Sequence, residues 1–99
     1  MTEVCLYLLA TPELAEKLVD HLLMHPKVSL FVSQSAASHG GHLMALNQTE
    51  QVLGHADAVL INALLAADDA EQLLAELRQR YTQSSVMYWL VPILIRGVL

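Results

Sequence analysis

The sequence predicts an α+β domain, a four-stranded antiparallel sheet with two helices on one face, in the order β-α-β-β-α-β. Three observations carry this. Four apolar runs, at residues 3–10, 28–37, 56–65 and 86–95, are interrupted by two apolar stripes at helical spacing. The runs are largely apolar on both alternating sets of positions, as in strands buried from two sides. The two middle runs are joined by a polar stretch of about 17 residues, a length that in compact domains usually carries function.

The first strand, Glu3–Ala10, sets Val4, Leu6 and Leu8 on one face and Cys5, Tyr7 and Leu9 on the other. Thr11-Pro12-Glu13 reads as a helix start: a capping hydroxyl, a proline at the first helical position and an acid at the positive end of the dipole. Leu14, Ala15, Leu18, Val19, Leu22 and Leu23 form its stripe, and Glu13, Glu16, Lys17 and Asp20 face away. His25-Pro26 closes the helix, because the residue before proline disfavours helical backbone. His21 and His25 lie four apart, a spacing that can chelate, and are expected on the solvent side, where His25 gains from the helix dipole.

The second strand, 28–37, alternates Val28, Leu30 and Val32 against Ser29, Phe31 and Ser33. The third, 56–65, is apolar on both sides apart from Asn62. Asp68 with Glu71 resembles a capping box, and Ala70, Leu73, Leu74, Leu77 and Tyr81 form the second helical stripe. Glu76 and Arg80 sit four apart on the wet side of that helix, the spacing of an ion pair. Residues 82–85 make a turn, and Pro92 places the last strand, 86–95, at a sheet edge or beside a bulge. Strand and helix echo in the two halves, which suits a split β-α-β sandwich, and right-handed crossovers put both helices on one face.

Ninety-nine residues fit a single domain spanning 1–99. Apolar residues make up 55% and charged residues only 15%, against a usual charged share of about 25%. Helices cover one face of such a sheet, so the other face carries apolar side chains from all four strands. Burying even a few hundred Å² there at ~25 cal/mol/Å² is worth several kcal/mol before association costs. An obligate oligomer, packed through the helix-free faces, is expected.

The net charge is −5, and no Lys or Arg lies between Lys27 and Arg78. That excludes the basic stripe a nucleic-acid binder needs, and with it direct binding to anionic membrane. The single cysteine, Cys5, permits no internal disulfide and is expected to be a small buried apolar residue. The first residues lack the positive region of a signal peptide, and no apolar run reaches the roughly 18 residues of a membrane span, so a soluble cytoplasmic protein is expected.

The ligand chemistry is concentrated in His39-Gly40-Gly41-His42, with His55 thirteen residues beyond His42. Neutral imidazoles suit zinc, nickel, cobalt or copper, although the spacing matches no established zinc pattern. A solvated loop with inert histidines is the competing reading. Tyr88 and Trp89 alternate faces, one toward the helices and one toward a subunit contact. Met44 and Met87 read as packing, and no Ser-His-Asp or Cys-His arrangement points to an enzyme.

The runs Ser38-His39-Gly40-Gly41-His42, Glu50-Gln51-Val52-Leu53-Gly54 and Tyr88-Trp89-Leu90-Val91-Pro92, with Gly97 near the end, resemble a family of small PII-like proteins of unknown function often encoded beside heavy-metal efflux systems. The resemblance spans the chain and implies a ferredoxin-like fold and a GlnB/CutA-like homotrimer. It also implies a mobile loop, here about residues 35–54, that contacts partners such as a membrane transporter or a regulatory protein. Many PII proteins hold ATP or ADP between subunits on basic side chains. Here the central fifty residues carry no cation, and a nucleotide would rest on backbone around Gly40 and Gly41 with Gln51, Gly54 and Arg96. The expected function is a non-enzymatic homotrimeric sensor whose loop responds to a small effector, with a transition-metal ion at His39, His42 and His55 as the candidate. The alternatives are a histidine-based metal chaperone or buffer and an adenine-nucleotide sensor.

Overall fold

Val4, Leu6, Leu8 and Ala10 alternate along one side of the first strand, and that side is where the hydrophobic core lies. The structure is a computed structural model and describes residues 2–40 and 55–99. In chain order it has β1 (Glu3–Ala10), α1 (Pro12–Leu23), β2 (Leu30–Ser38), β3 (Ala56–Ala66), α2 (Ala67–Arg80) and β4 (Met87–Pro92). The sheet order is β2-β3-β1-β4, with every neighbouring pair antiparallel. This is the expected sandwich, and Pro92 does sit on an edge strand.

Register fixes the faces. Leu6 stands opposite Ala63 on one side and Leu90 on the other, and Leu8 stands opposite Ile61 and Tyr88. Onto these rows α1 presses Ala15, Leu18 and Leu22, and α2 presses Ala70, Leu73, Leu74 and Leu77. The Thr11 hydroxyl accepts from the Leu14 N–H at 3.3 Å and caps α1 as expected.

Four local expectations are corrected. Leu23 is 66% exposed, because the stripe of a twelve-residue helix narrows where it leaves the sheet. The start of α2 has no side-chain cap: the helix begins at Ala67 with Ala66 at the N-cap position, so Asp68 lies inside the first turn and not at its cap, and the Ala67 N–H donates to the Thr2 carbonyl at 2.9 Å. The second strand begins at Leu30 and continues to Ser38, so Ser35 to Ser38 pair with β3 and do not belong to the loop. The last strand stops at Pro92, which has no N–H to donate; only the Ile93 N–H adds one further bond, to the Glu3 carbonyl at 3.1 Å.

The helix-free face matches the sequence expectation in chemistry. Leu30, Val32, Met87, Trp89 and Val91 present apolar surface there, each between 40% and 55% exposed. Beyond the sheet Leu94, Ile95, Val98 and Leu99 are almost wholly exposed. Trp89 stacks on Tyr7 across the β1–β4 pair, with centroids 5.4 Å apart. Among the described residues no helix is long and apolar enough to cross a membrane.

Leu6 is fully buried and Leu23 is not. Urea unfolding followed by circular dichroism is therefore expected to show Leu6→Ala costing about 2–5 kcal/mol. Leu23→Ala should stay within about 0.5 kcal/mol. Equal effects would show that the core is misplaced.

Candidate functional site

Pairing of Ser38 with Ala56 closes the β2–β3 ladder, and it places His39 and His55 one residue beyond the last pair. Their rings approach to 5.7 Å between centroids, tilted by 53°. The His55 side chain is one-quarter exposed, and its Nε2 lies 3.9 Å from Asp57 Oδ1. Gly40 follows with φ of 67°, a left-handed conformation that disfavours any residue with a side chain, although a Cβ would meet open space. Of the residues singled out in the sequence, His39, His55 and Gly40 thus gather at one end of the sheet. Gly41, His42, Gln51 and Gly54 lie outside the described residues. Among the described residues no group of three or more His, Cys, Asp or Glu side chains is gathered to hold a metal ion.

A second histidine cluster lies between the helices. His21 and His25 are mostly buried, not solvent-facing, with side chains 15% and 12% exposed. Glu76 leaves Arg80 on its own helix and reaches across to α1, where its Oε2 lies 3.4 Å from His21 Nε2 and 3.5 Å from His25 Nε2. The Lys27 N–H donates to His25 Nδ1 at 3.2 Å. A neutral His25 therefore keeps its proton on Nε2, facing the carboxylate. Metal ligation through that nitrogen would need the proton on Nδ1, against the Lys27 N–H. The cluster reads as a bridge between α1 and α2.

Arg96, the one cation that the sequence offered for phosphate, is held by Glu3. Its Nε donates to both carboxylate oxygens, at 2.8 and 2.9 Å, and its Nη2 donates to the Ser29 hydroxyl at 3.3 Å. The hydrogen bond to Arg96 holds the Glu3 carboxyl below its ordinary range, and Glu3 holds the guanidinium above its own. On the helix-free face, the Cys5 sulfur keeps the Tyr7 phenol protonated above its ordinary range, first by a hydrogen bond and then by charge. Cys5 is buried, as expected. Sequence reasoning missed the bridges from Glu3 to Arg96 and from Glu76 to the histidines. The only available signal was scarcity, since five cations and five histidines must serve ten acids.

Comparison with known proteins places the chain. Residues 1–99 match the family described as protein of unknown function (DUF3240), and the chain belongs to that family. No curated protein sequence matches it. A crystal structure of a DUF3240 family protein from Shewanella baltica OS155 is similar over 100% of this chain and 98% of that one, with a TM-score of 0.80 and 21% identity. CutA from Archaeoglobus fulgidus, described as a periplasmic divalent cation tolerance protein, is similar with a TM-score of 0.70 and 14% identity, over 97% of this chain and 87% of its own. CPII from Thiomonas intermedia K12, a nitrogen regulatory PII-like protein bound to ADP, AMP and bicarbonate, is similar with a TM-score of 0.63 and 16% identity, over 99% and 98% of the two chains. At these identities the likeness establishes the PII/CutA ferredoxin-like fold.

The Glu3–Arg96 pair has a pH signature. Because the folded carboxyl is held below its ordinary value of 4.5, the stabilisation is full above that value and is lost as pH falls through the folded pKa. The difference in Tm between the wild type and Glu3→Gln should be constant near neutrality and shrink toward zero in increasing acid. A difference that does not change with pH would show that the pair contributes nothing through ionisation.

Proposed function

We propose that this protein is a non-enzymatic, PII-like homotrimeric sensor in which the segment joining β2 and β3 responds to a transition-metal ion bound at its base. The observation that supports this reading is the approach of His39 and His55. Two imidazoles on one tetrahedral zinc, at ~2.0–2.1 Å from each nitrogen, hold their ring centroids about 5 Å apart. The observed 5.7 Å is within a small adjustment of that. A third ligand would come from His42, which lies between the two in sequence, or from a neighbouring copy. Zinc, nickel, cobalt and copper are the ions such imidazoles suit. The fold shared with a divalent cation tolerance protein and with nitrogen regulatory PII-like proteins is consistent with a sensor. An adenine nucleotide is the weaker effector, because its phosphates would compete with Glu3 for Arg96.

Self-association belongs to the same reading. The helix-free face carries Leu30, Val32, Trp89 and Val91, and one chain leaves them open. A ring of three copies packed on these faces removes them from water. Solution mass measurement at micromolar concentration is expected to give a trimer, and Trp89→Lys is expected to shift it toward single chains. A wild-type monomer would overturn the assembly.

Calorimetric titration tests the effector. Zinc, nickel, cobalt or copper is expected to bind, with affinity falling by about tenfold or more in His39→Ala/His55→Ala. ATP uptake with no metal uptake would replace the metal by a nucleotide. Metal uptake unchanged in the double variant would displace the site from the β2–β3 base.

A further inference from the structure

On the helix side of the sheet, at the end where β4 begins, a cavity of about 290 Å³ opens between the C-terminal end of α2 and the first residues of β4. Leu8, Leu18, Leu74 and Leu77 form its apolar wall, and Arg78 and Tyr88 stand at its mouth. We propose that this cavity is a binding site for a small amphiphilic monocarboxylate, its hydrocarbon part among the leucines and its carboxylate on Arg78 and Tyr88.

Volume, charge and backbone carry the proposal. A dry apolar cavity of about 150 Å³ accepts benzene, so this one has room for about twelve non-hydrogen atoms. The wall is hydrocarbon, which selects an apolar tail. At the mouth Arg78 Nη2 donates to the Tyr88 hydroxyl at 2.6 Å, and its guanidinium carbon lies 5.4 Å from the Tyr88 ring centroid. Among the described residues no carboxylate pairs with Arg78. In a chain with ten acids and only five Lys and Arg, a cation left to a phenol oxygen is an available partner for an anion. The Tyr88 hydroxyl, having accepted from Arg78, keeps its own hydrogen to donate. A carboxylate at the mouth would take that hydrogen and a guanidinium N–H together, two charge-assisted bonds of the stronger kind.

The rim adds a further sign. Gln83, in the turn that borders the cavity, has φ of 64°, the one left-handed non-glycine residue among those described. Such outliers persist where their surroundings hold them, and they cluster at ligand clamps. The Ser84 N–H donates to the Tyr81 carbonyl at 3.1 Å, and the Thr82 hydroxyl to the Arg78 and Gln79 carbonyls, each at 3.1 Å, so the turn is tied to the end of α2 that supplies Arg78. The proposal stands apart from the metal reading and shares no residue with it.

Octanoate serves as the probe, with octanol lacking the charge and acetate lacking the tail. Isothermal titration of the full chain, in its own oligomeric state, is expected to show octanoate binding once per chain and acetate not at all at millimolar concentration. Arg78→Gln, an exposed position, should weaken octanoate by about tenfold or more and leave octanol unchanged. Ser84→Trp, which places an indole at the mouth, should weaken both. Amide shifts in ¹⁵N spectra should centre on Leu77, Tyr81 and Tyr88. Fluorescence of Trp89, the only tryptophan and on the opposite face, should stay constant. No octanoate binding, equal affinity in Arg78→Gln, or shifts centred on the helix-free face would each overturn the proposal.

Discussion

One constraint governs this molecule: two helices can cover one face of a four-stranded sheet, and the sheet is apolar on both. The covered face makes an ordinary core, in which Leu6, Leu8, Ile61 and Leu73 lose almost all contact with water. The open face has no such cover within the chain. It offers Leu30, Val32, Trp89 and Val91, and an apolar tail runs on from it. The sheet edges add to this, because β2 and β4 both present unpaired backbone. In the assembly proposed above, packing on the open face would take its apolar side chains out of water, and the low charged fraction, 15%, is consistent with it, since residues facing another subunit need no charge.

Scarcity of cations sets the electrostatics. Arg96 is taken by Glu3, which ties the tail to the start of β1 and through Ser29 to the entry of β2. Glu76 is taken by two histidines, which ties α1 to α2. In both cases the partners are far apart in sequence and bring together elements that share few other polar contacts. Among the described residues Arg78 has no acid, and its position beside a leucine-lined cavity is what would give that cavity a chemical preference.

Much of the fold could be read in the sequence, because it rests on patterns local to each element. The period-two alternation of Val4, Leu6 and Leu8 marks a strand, the spacing of Leu14, Leu18 and Leu22 marks a helix, and Pro92 marks an edge. What could not be read is whatever one element does for another. The Thr2 carbonyl accepts from the Ala67 N–H, where α2 begins, and Asp68 falls inside the first turn and not at its cap. The long partner β3 extends the pairing of β2 through Ser38, past where side-chain pattern alone ends the strand. Glu76 finds its partners fifty residues away, and the spacing to Arg80 that suggested a pair is only one of its options. The candidate site shares this limit. The histidines were visible as residue types, but the closeness of His39 to His55 depends on the β2–β3 register and on nothing in either segment alone.

The topology also decides how the two proposed sites can relate. Strand β2 ends, and β3 and β4 begin, at the same end of the sheet, so the His39–His55 pair and the cavity beside β4 lie at the same end. Within one chain they lie on opposite edges, three strand spacings or about 14 Å apart. Two strands, β3 and β1, lie between them and contribute Leu6, Leu8 and Ile61 to the core. In the assembly proposed above the copies meet through their helix-free faces, and β2 and β4 remain the two edges of each sheet. Any coupling between a ligand in the cavity and an ion at His39 and His55 would have to span the width of the sheet. Coupling of that kind would require an element with two arrangements.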